Sequence, residues 1–170
     1  MKRTIVAVTF TIVFAASANA QSVGEKTGVN SALGITPKTE DFIKEAATSD
    51  MLEIEAAKIA EQKGNANEKK FAEQMITDHT KTSNELKGVV PAEMKSTIPT
   101  GLDDSSRKTN ADFASEYDPM QVGAHKDAVS LFERYANGGD NKKLKDWAGK
   151  TLPALQHHLE MAQDLDKNRK

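Results

Sequence analysis

The stretch DFIKEAATSDMLEIEAAKIAEQKGNANEKKFAEQMITDHT, residues 41–80, decides the fold class of this chain. Its apolar residues recur every three or four positions, which is the spacing that places them on one side of an α-helix. Gly64 interrupts this pattern, and Asn65 followed three residues later by Glu68 is a capping-box motif that begins a new helix. The stretch therefore predicts two helices joined by a tight turn, the first over about residues 39–63 and the second over about residues 65–87.

The second half of the chain repeats this organisation. A third helical pattern covers about residues 111–136 and ends at Asn137-Gly138-Gly139, and a fourth opens at Asp140 or Asn141 and continues to about residue 166. Pro119 lies inside the third pattern and predicts either a kink or a helix that starts there, and Pro153 lies inside the fourth. Two helical hairpins joined by a long connection, residues 88–110, with a short helical turn inside it, predict an all-α, ferritin-like four-helix bundle with one long crossover connection.

The N-terminus has the three parts of a cleavable secretory signal. Met1-Lys2-Arg3 is basic, residues 5–16 are apolar, and Ala18-Asn19-Ala20 is a small-x-small cleavage pattern. The apolar run is shorter than the about 20 residues that a permanent membrane helix needs. We therefore expect a signal peptide at residues 1–20, a flexible lead-in at 21–38 and the bundle domain at 39–167.

Composition limits the classes of partner. Without the signal the chain has 21 rather than 23 basic residues against 25 acidic residues, a formal charge of −4. A weakly acidic surface does not favour nucleic-acid binding. No later stretch is apolar and long enough to span a membrane. The chain has no cysteine, so it forms no disulfide, and packing must provide its stability.

Four polar side chains are predicted to face the interior. When each helix is laid out at about 100° per residue, Glu53, His79, His125 and His158 each fall on or beside the apolar side of a different helix. Their neighbour His157 is predicted to point to solvent. The rise of about 1.5 Å per residue places all four inward groups in the middle half of the helices, where they could converge.

Imidazole and carboxylate groups that meet in a dry bundle core can act as ligands for zinc, iron, copper or manganese. The residues three positions before the histidines are Ile76, Val122 and Leu155, so the Glu-x-x-His pairs of bundle di-iron centres are missing. A mononuclear or haem-like site is then the better metal interpretation. The alternative is a hydrogen-bonded core cluster in which Glu53 accepts from a histidine or from Tyr117 and Gln121 bridges. The sequence shows no nucleophile or acid–base pair that would indicate an enzyme.

Several segments of the chain resemble an uncharacterised secreted bacterial family that has a ferritin-like four-helix fold and is often labelled as outer membrane proteins. They are DFIKEAA at 41–47, EIE at 53–55, FAEQMITDHT at 71–80, QVGAH at 121–125 and TLPALQHHL at 151–159. The family's histidine motifs match His79, His125 and His158, whereas Asp118-Pro119 departs from an apolar stretch in the family. The resemblance implies the ferritin-like fold and an envelope location, and it implies no settled activity.

The sequence thus predicts an exported bundle protein of the periplasm or cell envelope. We expect it to bind a transition metal through Glu53, His79, His125 and His158. The alternative is a non-catalytic structural or interaction protein in which the same residues only form a core cluster. An envelope protein partner and a homo-oligomer are both compatible with the sequence.

Overall fold

The computed structural model describes residues 33–102 and 113–168. The predicted signal peptide and most of the predicted lead-in lie outside the described residues. All the regular elements within the described ranges are helical, and the prediction of an all-α chain is confirmed.

The first helical hairpin agrees closely with its prediction. Helix α1 spans Thr39–Lys63 and helix α2 spans Ala66–Val89. Between them, the N–H of Gly64 donates to the carbonyl of Ala60 at 2.8 Å. A Cβ atom on residue 64 would lie 2.6 Å from that same oxygen, so a residue with a side chain cannot take this place without a shift of the backbone.

The predicted capping box at the start of α2 is confirmed. The side chain of Asn65 accepts from the backbone N–H of Glu68 at 3.1 Å, and the Glu68 carboxylate accepts from the N–H of Asn65 at 2.6 Å. These two bonds satisfy donors that the first turn of a helix leaves without partners. The helix continues through Gly88, slightly beyond its predicted end.

The second hairpin follows a short 3-10 helix, Ala92–Thr97, which is the predicted helical turn in the connection. Helix α3 spans Phe113–Gly138 and helix α4 spans Lys142–Lys167. Because α3 already contains Pro119 well inside its bounds, the alternative in which it starts at that proline is wrong. Helix α4 likewise continues through Pro153.

The helices form a four-membered ring of contacts. Helix α1 packs against α2 and α3, and α4 packs against α3 and α2. Phe42 near the start of α1 stacks on Tyr135 near the end of α3, whereas Phe71 near the start of α2 contacts Tyr117 near the start of α3. Helices α2 and α3 therefore run in the same direction, so the end of α2 and the start of α3 lie at opposite ends of the bundle.

The apolar core has two parts. The proximal cluster lies where α1 begins and contains the aromatic residues Phe42, Phe132, Tyr135 and Trp147 together with aliphatic residues of all four helices. The distal cluster lies towards the other end and contains Ala57, Ala60, Phe71, Ala72, Met75, Tyr117 and Ala162. Every helix also places at least one buried polar side chain between the two clusters.

The described part of the predicted lead-in, residues 33–38, runs beside the end of α3. Arg134 donates from Nη1 to the carbonyl of Ile35 at 2.5 Å, and the hydroxyls of Thr39 and Tyr135 are hydrogen-bonded. None of the helices in the described ranges has the length and apolar character that crossing a membrane requires.

Candidate metal centre

A polar layer separates the proximal and distal clusters. It contains side chains from all four helices, each of them buried, namely Asp50, Glu53, His79, Gln121, His125 and His158. The helical periodicity that predicted three inward histidines also predicted the outward one correctly. The side chain of His157 is 68% exposed although it is adjacent to buried His158.

His79 projects from α2 into this layer and is 2% exposed. Its Nδ1 lies 2.9 Å from Oδ1 of Asp50 on α1, and the hydroxyl of Thr82 donates to the same oxygen at 2.8 Å. An ionised carboxylate only accepts, so Nδ1 carries the proton in this pair. The other ring nitrogen, Nε2, is buried and has no hydrogen-bond partner.

His158 projects into the layer from α4, and its two ring nitrogens have the reverse roles of those in His79. Its Nε2 lies 2.8 Å from Oδ2 of Asp78 on α2, an oxygen that also accepts from the amide of Gln74 at 2.7 Å. In this residue it is Nδ1 that is buried without a partner. The hydrogen bond therefore ties α4 to α2 and leaves one nitrogen of the ring directed elsewhere.

His125 completes the set from α3. Its Nδ1 lies 2.9 Å from the carbonyl oxygen of Gln121, one turn earlier in the same helix. Since a carbonyl oxygen only accepts, Nδ1 donates and Nε2 is left as a lone-pair nitrogen, which has no partner. The ring of Phe71 lies against this imidazole, with ring centroids 6.1 Å apart.

The three imidazoles form a nearly equilateral triangle. Ring centroids are 5.7 Å apart for His79 and His125, 5.4 Å for His79 and His158, and 5.5 Å for His125 and His158. Each ring offers one nitrogen such that these three atoms all lie within 4.8 Å of one another. One nitrogen from each of three rings at this separation is close to the arrangement in which a single metal ion binds all three.

Burial favours the neutral form of two of these rings, His125 and His158. It lowers the pKa of His125 to about 4, against the opposing effect of the hydrogen bond to Gln121, and the other two imidazoles lower it further. Burial also lowers the pKa of His158, although its hydrogen bond to Asp78 acts in the opposite direction. Neutral imidazole is the form that binds a metal, so the lowered pKa values of His125 and His158 favour binding near neutral pH.

Glu53 lies beside this triangle and is not part of it. Its side chain is 4% exposed, and Oε2 has no hydrogen-bond partner, but no oxygen of Glu53 belongs to the set of atoms within 4.8 Å. Burial raises the pKa of Glu53, while the nearby His79 and the amide of Gln121 lower it. The structure thus brings together three of the four predicted ligand residues and places the fourth next to them.

Sequence reasoning missed two residues that orient the triangle. Neither Asp50 nor Asp78 was among the predicted inward groups. Asp50 precedes Glu53 by three residues, so the same helical periodicity that selected Glu53 carried the signal for it. For Asp78, whose side chain is 29% exposed, the sequence carries no comparable signal because its role depends on how α2 packs against α4.

The sequence comparison connects the chain to a described family. The family model of the domain of unknown function DUF4142 matches residues 24–165, which is most of the chain. No curated protein and no solved structure matches this chain. The match is consistent with the resemblance noted above and contributes no activity of its own.

Proposed function

We propose that the chain, which belongs to the DUF4142 family of unknown function, binds a single transition metal ion through its three buried imidazoles. The ligands are Nε2 of His79, Nε2 of His125 and Nδ1 of His158. The observations that carry this proposal are that each of the three buried imidazoles offers one nitrogen within 4.8 Å of the others, and that each ring has one buried nitrogen without a hydrogen-bond partner.

The partners of the other ring nitrogens support the same conclusion. Metal-bound histidines generally donate the N–H of the ring nitrogen that does not bind the metal to a carboxylate or a backbone carbonyl, which fixes the tautomer and the ring orientation. Asp50, Asp78 and the Gln121 carbonyl occupy these positions for the three rings. A purely structural core cluster would be expected to satisfy the converging nitrogens with donors, since buried polar groups are nearly always paired.

Three nitrogen ligands also narrow the choice of metal. Imidazole suits zinc, copper and iron, whereas manganese prefers carboxylate and water oxygens. The three rings surround a single point, so a porphyrin placed between two of them would overlap the third, and a single ion is favoured over haem. In this proposal Glu53 acts as a buried anion beside His79 that offsets part of the charge of the metal.

The metal content of the protein tests this proposal. The full chain is expressed without a histidine tag, loaded with zinc, copper or iron, and measured by elemental analysis next to three single alanine variants, His79→Ala, His125→Ala and His158→Ala. We expect about one ion per chain in the wild type and a loss of metal in each variant. The matched control is His157→Ala, which removes an exposed imidazole from the same helix and should retain the metal.

Helicity measured by circular dichroism separates loss of the metal from loss of the fold. If an alanine variant unfolds, the glutamine variant of the same residue replaces it, because glutamine keeps a polar side chain of similar length. A wild type that binds no metal after loading, or alanine variants that keep it, would refute the proposal.

We also propose that the protein is an exported, ferritin-like bundle of the bacterial periplasm or cell envelope. The parallel direction of α2 and α3, which places the end of α2 and the start of α3 at opposite ends of the bundle, is compatible with the ferritin-like arrangement. The signal pattern at residues 1–20 supports export. Mass spectrometry of protein recovered from the periplasmic fraction should find a mature N-terminus at Gln21, and an intact Met1 in a cytoplasmic fraction would contradict export.

A further inference from the structure

An open groove runs between α2 and α4 and reaches the polar layer from outside. Its volume is about 510 Å³, and all its lining residues belong to these two helices. Asp78, His79 and Thr82 line it on one side, and Ala154 and His158 lie on the other. Two of the three converging imidazoles therefore form part of the wall of a cavity that is open to solvent, although each ring is almost fully buried.

Three protein ligands do not complete the coordination of the metal ion in the proposed site. Zinc is four-coordinate in most proteins, and sites with three protein ligands hold water or another small ligand in the fourth position. No oxygen of Glu53 lies within the set of mutually close ligand atoms. His125 and Glu53 do not line the groove, whereas His79 and His158 do, so the groove approaches the site from the side of α2 and α4.

We infer that the bound metal presents an open coordination position to this groove and takes a small anion from solvent there. The inference rests on the proposed metal site and goes beyond it, because it makes the centre a binding site for an exogenous ligand. The volume of the groove lies within the range of about 300–1,000 Å³ that is common for small-molecule sites, so a ligand as large as a small carboxylate fits.

The charges along the groove favour an anion. Asp78 is already engaged by His158 and Gln74, and the carboxylate of Glu85 accepts from the indole N–H of Trp147 at 3.2 Å. Lys150 lines the groove on the α4 side, and its side chain makes no hydrogen bond or ion pair with any residue in the described ranges. A divalent ion in the proposed site and this lysine would both attract an incoming negative charge.

Cobalt(II) and azide are suitable probes for this inference. The absorption spectrum of cobalt(II) depends on its coordination number, so binding of azide to the metal changes it directly. The full chain is loaded with cobalt(II), its metal content is measured, and azide is then titrated. The groove variant is Ala154→Trp, since Ala154 is exposed, lines the groove and precedes His158 by one turn of α4. The matched control is Gln156→Trp, which adds the same side chain to an exposed position of α4 outside the groove.

We expect a saturable spectral change in the wild type and in Gln156→Trp, and azide binding that is weaker by at least about tenfold in Ala154→Trp. Bound cobalt with a spectrum that azide leaves unchanged would overturn the inference and leave the metal site intact. Equal azide affinity in the two tryptophan variants would overturn the route through the groove. Absence of bound cobalt in the wild type would instead refute the proposed function itself, which the metal measurement detects before azide is added.

Discussion

Acidification from pH 7 to pH 4 should destabilise the metal-free protein through His125. In the unfolded chain this side chain takes up a proton near its usual pKa of 6.5, whereas burial lowers its pKa in the folded protein to about 4. Between these two values the unfolded state binds the proton and the folded state does not. Above pH 6.5 the proton equilibrium of His125 therefore does not reduce the free energy of unfolding. This free energy then decreases progressively as the pH falls towards 4.

The expected magnitude follows from the two pKa values. Each pKa unit corresponds to about 1.4 kcal/mol, so the interval from 6.5 to about 4 corresponds to a loss of about 3 kcal/mol. This is a large fraction of the roughly 5–15 kcal/mol by which a typical domain is stable. His158, whose pKa burial also lowers, adds a loss of the same sign.

Urea denaturation followed by circular dichroism at pH 7, 6, 5 and 4, in the presence of a chelator, measures this effect. The comparison is with His125→Gln, which cannot take up the proton. The free energy of unfolding of the wild type should fall by about 3 kcal/mol more than that of the variant over this range. Parallel pH profiles for the two proteins would refute the reasoning, because they would show that His125 is protonated equally well in both states.

Glu53 provides a test of opposite sign. Burial raises its pKa in the folded protein, so on acidification the folded state takes up this proton before the unfolded state does. Its contribution to stability therefore increases as the pH falls through its folded pKa towards its ordinary value of 4.5. Glu53→Gln removes this gain, and the variant should lose more stability between neutral pH and pH 4.5 than the wild type does.

Three further substitutions have definite expected outcomes. Phe42→Ala removes a fully buried ring that contacts three aromatic side chains, and denaturation should show a loss of about 3–5 kcal/mol with the metal content of the folded protein unchanged. Asn65→Ala removes the cap of α2 and should cost about 1 kcal/mol, whereas Asn67→Ala, which leaves the capping bonds in place, should cost clearly less. Asp50→Ala removes the acceptor for His79 and should weaken metal binding by about 10–100-fold in a competition titration, and an unchanged affinity would exclude an orienting role.

The proximal cluster shows how far periodicity alone leads. Phe42, Ala46, Leu144 and Ala148 repeat at helical spacing, and all four are buried as that spacing predicts. Gly64 and the Asn65 cap mark the turn between α1 and α2 because they act within a few residues of chain. The inward direction of His79, His125 and His158 follows from the same local rule, since the direction of a side chain depends mainly on its position along one helix.

The sequence by itself determined the helices, their turns and the inward side of each. Only the packing of the helices decided that the three imidazoles form a triangle while Glu53 stays beside it, because helical periodicity gives a direction and not the distance between helices. The same packing placed Asp50 against His79 and Asp78 against His158, and it opened the groove between α2 and α4. These contacts join residues far apart in the chain, so the relative height and rotation of two helices, which tertiary packing alone sets, determine them.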